Sequence, residues 1–223
     1  FKIENSTDKV IAKVFDNKTK TTISITADKV LLATPQFVNQ YLLENRKTLA
    51  SNFHYTPWLL ATLVVSDLGD NGSFPLCWDN VIYGSKGLGY VYDQQQSLQQ
   101  VQDKKVITYY YSFSSADLKK TRREFYKKPK EYWKQMVFED LKIAHTAIEL
   151  ATESIEIHLL GHGMSSPVPG FIYGQAKKEA SESIANKIYF AHSDLSGISI
   201  FEEAFHQGIN TVNTMIDGTT LDS

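Results

Sequence analysis

The chain is poor in cysteine: Cys77 is the only one in 223 residues. An internal disulfide is therefore excluded, and so is a cysteine-built metal site. No apolar run approaches the roughly 20 residues of a membrane-spanning helix. Neither sign of charge dominates, since 23 Lys and Arg face 25 Asp and Glu for a formal net charge of -2. That balance leaves no electrostatic footprint for nucleic acid or for an anionic membrane. The basic run at Lys119-Lys120, Arg122-Arg123 and Lys127-Lys128 lies in a polar stretch and reads as a solvated face. The G-x-S-x-G elbow of a hydrolase is absent, and so is the G-x-G-x-x-G fingerprint that seats a dinucleotide pyrophosphate. The chain opens at Phe1 inside a strand-like pattern, with no charged n-region and no apolar h-region. We expect a fragment or processed product whose original beginning is missing, so localisation is left unknown.

What is present is a mixture of both periodicities. Residues 2–35 read as a β-meander, with Val10, Ala12 and Val14 on one face and Ile23 and Ile25 alternating with Thr22, Ser24 and Thr26. That alternation predicts a half-buried strand. Val30–Ala33 is uniformly apolar, as strands buried on both faces are, and a short helix is expected from Thr34-Pro35 to about Leu43. Strands are predicted over 58–66, 78–83, 88–92 and 105–113, with a polar loop over 93–103. A helix is expected over 115–125. Pro129 suits the first turn of the next, which carries Trp133, Val137, Leu141, Ala144 and Ile148 as one stripe. Residues 154–160 return to strand, 161–174 read as a glycine-rich loop, and a helix over 175–185 precedes a last strand over 187–191. Ser199-Ile200-Phe201-Glu202 fits a capping box, and Phe201, Ala204, Phe205, Gly208 and Val212 then share one helix face, with Gly208 allowing a neighbouring strand to approach closely.

Three stretches invite a chemical reading. Tyr83–Val91 ("YGSKGLGYV") holds glycines and a lysine, but a phosphate-binding loop needs G-x-x-x-x-G-K-[ST] followed by a helix. A strand pattern follows here, so a hairpin turn is the plainer reading. His158 and His162 lie four apart, a zinc spacing on a helix, but the segment is strand-like and broken by Gly161; no metal site is expected. His192–Ser196 (His-Ser-Asp-Leu-Ser) sits between the last strand and the last helix. Free amides and the positive end of a helix dipole suit an anion there, but from the residues alone an ordinary strand-to-helix connection is the better reading.

The stretch "KIYFAHSDLSGISIFEEAFHQGINTVNTMI" resembles the C-terminal flavin-binding segment of the flavin-containing amine oxidase family, which includes protoporphyrinogen-oxidase-like and phytoene-desaturase-like oxidoreductases. Ala191, Asp194, Phe201, Glu202, Ala204 and Gly208 occupy matching positions. "ADKVLLATP" resembles the strand that returns to the flavin domain after a β-meander, and "GHGMSSPVPGF" the region before the last FAD segment. The resemblance implies FAD as cofactor, held by Ala33, Thr34 and Pro35, by His192, Ser193, Asp194, Leu195 and Ser196, and by the amides around Phe201 and Glu202 at the flavin pyrimidine edge or ribityl chain. The sequence departs from that pattern where Ser193 replaces a glycine before the acid and Glu203 replaces the glycine of Glu-Gly-Ala. The lysine many amine oxidases carry near the flavin is absent from "YTPWLLATLVV".

The fold class expected is α+β (α/β): a mixed β-sheet substrate domain with helices, plus the C-terminal part of an FAD-binding Rossmann-like domain. Expected divisions are 1–45 for the meander and returning strand, 46–165 for the substrate domain and 166–223 for the C-terminal FAD segment. The function implied is that of a fragment of an FAD-dependent oxidoreductase, moving a hydride from a C–N or C–C bond of a small-molecule substrate. The missing N-terminal FAD-binding part is its partner, and the fragment alone is inactive and free of FAD. No catalytic residue is assigned, and no metal. The alternative is a non-catalytic ligand-binding or structural domain on a flavoprotein-derived scaffold.

Overall fold

The structure is a computed structural model that describes residues 1–66, 68, 77–93 and 104–217. The chain divides into two compact units, Phe1–Tyr55 with Met164–Ser223, and Thr56–Gly163.

The first unit begins with an antiparallel meander of β1 (Lys2–Asn5), β2 (Val10–Asp16) and β3 (Thr21–Ala27). Period-2 alternation sets its register, Ile23 opposite Val14 and Ile25 opposite Ala12. One expectation fails here. β3 is exposed along nearly its whole length, with Ile23 at 43% and Ile25 at 50%. The alternation gave the strand, but nothing among the described residues covers its apolar face.

β4 (Val30–Leu32) pairs in parallel with β10 (Ile188–Phe190), in the register Val30 with Ile188 and Leu32 with Phe190. Their side chains join Val10, Leu43, Phe53, Tyr55, Phe171 and Leu195 in one core. Short helices α1 (Gln36–Leu42) and α2 (Lys47–Ala50) follow β4, and α6 (Gln175–Ser181) precedes β10. Arg46, 7% exposed, lays its guanidinium 4.0 Å over the Phe190 ring and donates to the Ala180 carbonyl. Burial lowers its pKa to about 10.

A 3-10 turn (Ser193–Leu195) leads from β10 to the last helix, α7 (Phe201–Asp217). Gly197 ends the turn at φ +80°, and a Cβ there would meet the Ile172 side chain at 2.8 Å. The expected capping box does not form. The first intrahelical bond runs from the Ala204 amide to the Ile200 carbonyl, which makes Ile200 the cap residue. The Ser199 hydroxyl instead accepts from the Ser165 amide at 2.7 Å. Gly208 has open space where a Cβ would stand, so it admits no close neighbour.

The second unit is a five-stranded sheet in the order β6-β7-β8-β5-β9: β5 (Tyr55–Val65), β6 (Asp79–Asn80), β7 (Gly89–Tyr92), β8 (Lys105–Ser112) and β9 (Thr152–Ser165). Helices α3 (Leu118–Phe125), α4 (Lys130–Leu141) and α5 (Ile148–Ala151) complete it. Asp117 caps α3 by accepting from the Lys120 amide at 2.9 Å. Pro129 precedes α4 as its cap, one position earlier than expected. The expected long stripe breaks after Leu141, so Ala144 lies in the turn before α5. Trp133, Val137, Leu141 and Ile148 stay buried with Leu59, Leu63, Ile107 and Tyr109. Strand β9 runs through Gly161 to Ser165, where a loop was expected, while β6 is shorter than its pattern. The polar loop expected over 93–103 lies almost wholly outside the described residues.

Candidate functional site

Parallel pairing of β4 with β10 decides the geometry of the site, because it brings two segments 158 residues apart to the same end of two adjacent strands. The Ala191 amide still bonds to the Leu32 carbonyl at 3.0 Å, and the chain then leaves both strands at their carboxyl ends. One exit is Ala33-Thr34-Pro35 and α1; the other is His192 and the 3-10 turn. The crevice outside the carboxyl ends of parallel strands is where open α/β sheets bind ligands.

Asp194 joins the two exits. It is 1% exposed, and its Oδ2 accepts from the Gln36 amide at 2.8 Å and from the Tyr55 hydroxyl at 2.5 Å. His192 Nδ1 lies 3.2 Å from the Asp194 Oδ1 and 3.1 Å from the Asp194 amide. A bare Nδ1 accepts from that amide, whereas an Nδ1–H donates to the carboxylate, so which nitrogen carries the hydrogen decides which bond forms. Burial by itself would raise the Asp194 pKa; the bonds from His192, Tyr55 and the Gln36 amide outweigh it and hold the carboxyl below its ordinary value. Burial, followed by the Asp194 charge, pushes the Tyr55 phenol far upward, so it stays a donor.

Of the sequence-derived site residues, Ser193, Asp194, Leu195 and Ser196 are buried, Thr34, Pro35 and His192 are half-buried, and Ala33, Phe201 and Glu202 are exposed. Thr34 is fixed by Asn39, which accepts from its hydroxyl at 2.5 Å and donates to its carbonyl at 3.1 Å. Helix α7 packs on the 3-10 turn. Its first amides have no intrahelical partner, and no side chain among the described residues caps them. Glu202 and Glu203 already place two carboxylates in that first turn.

Sequence reasoning missed Gln36, Asn39, Arg46 and Tyr55. Gln36 and Asn39 are fully buried, and the Gln36 side-chain amide nitrogen has no partner among the described residues. The Gln36 backbone amide meets Asp194, while its side-chain Oε1 accepts from the Arg46 Nε at 3.3 Å, so the orphan nitrogen is a buried donor on the inner side of the site and not on its accessible rim. No spacing links positions 36 and 55 to 194, so no sequence signal pointed to them.

The glycine-rich stretch after β6 does cradle an anion, but the anion is the chain's own. Asp140 accepts from the Lys86 and Gly87 amides, both at 3.1 Å, and from the Ser85 and Tyr109 hydroxyls. A Cβ at Gly87 would lie 2.3 Å from the Tyr109 hydroxyl oxygen. The loop is therefore a structural clamp, as the hairpin reading required. Beside it, a cavity of about 600 Å³ runs between β8 and α4, lined by Tyr109, Tyr111, Phe113, Tyr132, Trp133 and Met136 among others. His158 lies 3.7 Å from Glu156 and both are exposed. Among the described residues no group of three His, Cys, Asp or Glu is placed to hold a metal, and no helix is long and apolar enough to cross a membrane.

No family profile matches the sequence, and no curated protein resembles it. Solved structures do share its fold. A putrescine oxidase mutant from a structure-based redesign of cofactor binding matches with a TM-score of 0.71 at 10% identity, over 98% of this chain and 48% of its own. Cyclohexylamine oxidase from Brevibacterium oxydans matches with a TM-score of 0.71 at 10% identity, over 97% of this chain and 47% of its own. A fatty acid isomerase from P. acnes that produces CLA matches with a TM-score of 0.63 at 14% identity, over 95% and 46%. The chain thus spans slightly under half the length of these relatives in fold.

Proposed function

We propose, from a fold shared with the C-terminal half of the flavin-containing amine oxidases, that this chain is the corresponding half of an FAD-dependent oxidoreductase. One observation carries the reading. The two segments singled out for cofactor contact, Ala33–Pro35 and His192–Ser196, leave neighbouring parallel strands together and are tied by the Asp194 bond to the Gln36 amide. Had they lain apart, one cofactor could not touch both.

FAD, when bound, would accept a hydride from a C–N or C–C bond of a small-molecule substrate. The chain's own residues have supporting tasks. Asp194 braces the two strand exits from inside, and its negative charge is held by three partners. Ala33, Thr34, Pro35 and His192 form the accessible rim that would hold the cofactor's polar chain. The uncapped amides at Phe201 and Glu202 supply the positive end of a 17-residue helix. That field would favour an anionic edge of a bound cofactor, although the carboxylates of Glu202 and Glu203 compete for it. No residue of the chain is assigned to proton transfer.

The test is expression of the full coding region. The expected product is yellow, with substrate-dependent bleaching of the flavin absorbance for one of a panel of amines and unsaturated acids. A colourless, cofactor-free protein would overturn the reading. A second reading, a non-catalytic domain on the same scaffold, is favoured by two sequence facts, the absence of a lysine from "YTPWLLATLVV" and Glu203 in place of the glycine of Glu-Gly-Ala. It predicts that same colourless protein, correctly folded.

A further inference from the structure

Helix α3 and the start of α4 enclose a cleft that the flavin reading does not use. Four aromatic rings form its wall. Phe113, just past the end of β8, meets Phe125 at 4.9 Å and Trp133 at 5.5 Å, both edge to face, and Tyr132 meets Trp133 at 5.0 Å. Phe125 and Trp133 are buried, whereas Phe113 is half-buried and Tyr132 is 47% exposed, so these last two leave ring surface open. The hollow has a volume of about 400 Å³. Its other side belongs to α3 and its cap, where Asp117, Lys120, Thr121 and Glu124 fall three and four apart and share one helix face. Lys128 also lines it, with its ammonium 4.9 Å from the Tyr132 ring centroid.

Charge selects the sign of a ligand for this cleft. Both of its acids are committed within the chain. Asp117 caps α3 through the Lys120 amide, and Glu124 accepts from the Lys127 ammonium at 2.8 Å. No carboxylate among the described residues pairs with the ammonium of Lys120 or Lys128. Residues 117–134 carry eight Lys and Arg against three Asp and Glu, in a chain whose formal net charge is -2. In the sequence that run reads as a solvated face; folding sets two of its lysines at an aromatic hollow. A cationic ligand would meet like charge there, and an uncharged apolar one would leave both ammoniums unused.

We infer that the α3–α4 cleft is a binding site for a small aromatic carboxylate. The ligand's ring lies against Phe113 and Tyr132, in the edge-to-face or offset geometry that aromatic pairs adopt at about 4.5–7 Å. Its carboxylate accepts charge-assisted bonds from the Lys120 and Lys128 ammoniums. The inference stands apart from the flavin reading, because every residue it uses lies in the second unit.

The test is isothermal titration calorimetry on the product of the full coding region, with two probes of one shape: naphthalene-1-acetate and the uncharged naphthalene-1-acetamide. The acid should bind with a dissociation constant of about 10–500 µM, and the amide at least about 3-fold more weakly. No binding of the acid up to about 1 mM, or a smaller difference between the probes, overturns the inference. Lys120→Gln combined with Lys128→Gln should weaken the acid at least about 3-fold at low salt, as the loss of two exposed charges allows, and spare the amide. A smaller effect on the acid, or an equal loss for both probes, also overturns it. Tyr132→Ala should weaken both probes at least about 3-fold, and Tyr132→Leu serves if the alanine variant does not fold. Unchanged binding refutes the aromatic seat. Displacement of the acid by phosphatidylserine vesicles, but not by phosphatidylcholine ones, would assign the lysines to an anionic membrane surface and refute the small-ligand site.

Discussion

Asp194 shows how one buried side chain can join segments far apart in sequence. Its carboxylate is buried, so it cannot be the group that a ligand meets first. Its three partners come from the end of β10, the start of α1 and the start of β5. Charge-assisted bonds to a buried carboxylate are worth about 1.5–3 kcal/mol each, so Tyr55→Phe should cost about that amount and Asp194→Asn about 2–4 kcal/mol. The pH dependence has a definite sign. The folded pKa of Asp194 lies below its unfolded value of about 3.9. The carboxylate's contribution is therefore fully present above about pH 5 and disappears as pH falls through the folded pKa. Urea unfolding at pH 7 and pH 3.5 should give a wide gap between the native chain and Asp194→Asn at the higher pH and a narrower one at the lower. Equal gaps would mean that the charge contributes nothing.

Among the elements, two glycines make opposite predictions. Gly89 opens β7 at φ +107°, and a Cβ there would stand 2.1 Å from the Asn80 carbonyl oxygen. Gly89→Ala should therefore destabilise the second unit by about 2–4 kcal/mol through backbone strain and a clash with a rigid neighbour. Gly208, inside α7, meets nothing within 4 Å. Gly208→Ala in this chain should stabilise it by about 0.5–1 kcal/mol, as alanine does within helices. Thermal unfolding of both variants checks the pair, and a stable Gly89→Ala chain would refute the close approach.

Much of the element order was legible for a local reason. Strand alternation, the stripe of Trp133, Val137 and Leu141, and the turn chemistry around Asp16-Asn17 depend on neighbours in sequence. The failures were non-local. The Ser199 hydroxyl found the Ser165 amide and left the helix uncapped. β9 continues through Gly161, where Tyr126 packs so closely that a Cβ would lie 2.6 Å from its hydroxyl, a packing fact that sequence spacing cannot express. The apolar faces of β3 and α7 were recognised from their periods, but a period says which face is apolar and not what covers it.

For the molecule as a whole, the shared fold and the missing dinucleotide fingerprint pull together. On the proposed reading, a chain with the C-terminal strands and the last helix but no G-x-G-x-x-G turn would supply part of a cofactor site without its pyrophosphate seat. The isolated 223-residue chain should accordingly bind no stoichiometric FAD by visible absorbance or by ultrafiltration, while the full-length protein retains it through gel filtration. Yellow, stoichiometric protein from this chain alone would show that the pyrophosphate seat lies within it.

The sequence by itself determined the α+β class, most of the element order, the absence of a disulfide framework, and the two stretches on which a flavin reading rests. Those properties follow from residue type and short-range period. Only the tertiary structure decided that β4 lies beside β10 and that Asp194, Gln36 and Tyr55 meet. It alone showed that Asp140 fills the glycine-rich loop and that α7 presents its apolar seam to solvent. Each of those depends on which distant segments share a surface, and a one-dimensional pattern carries no term for that.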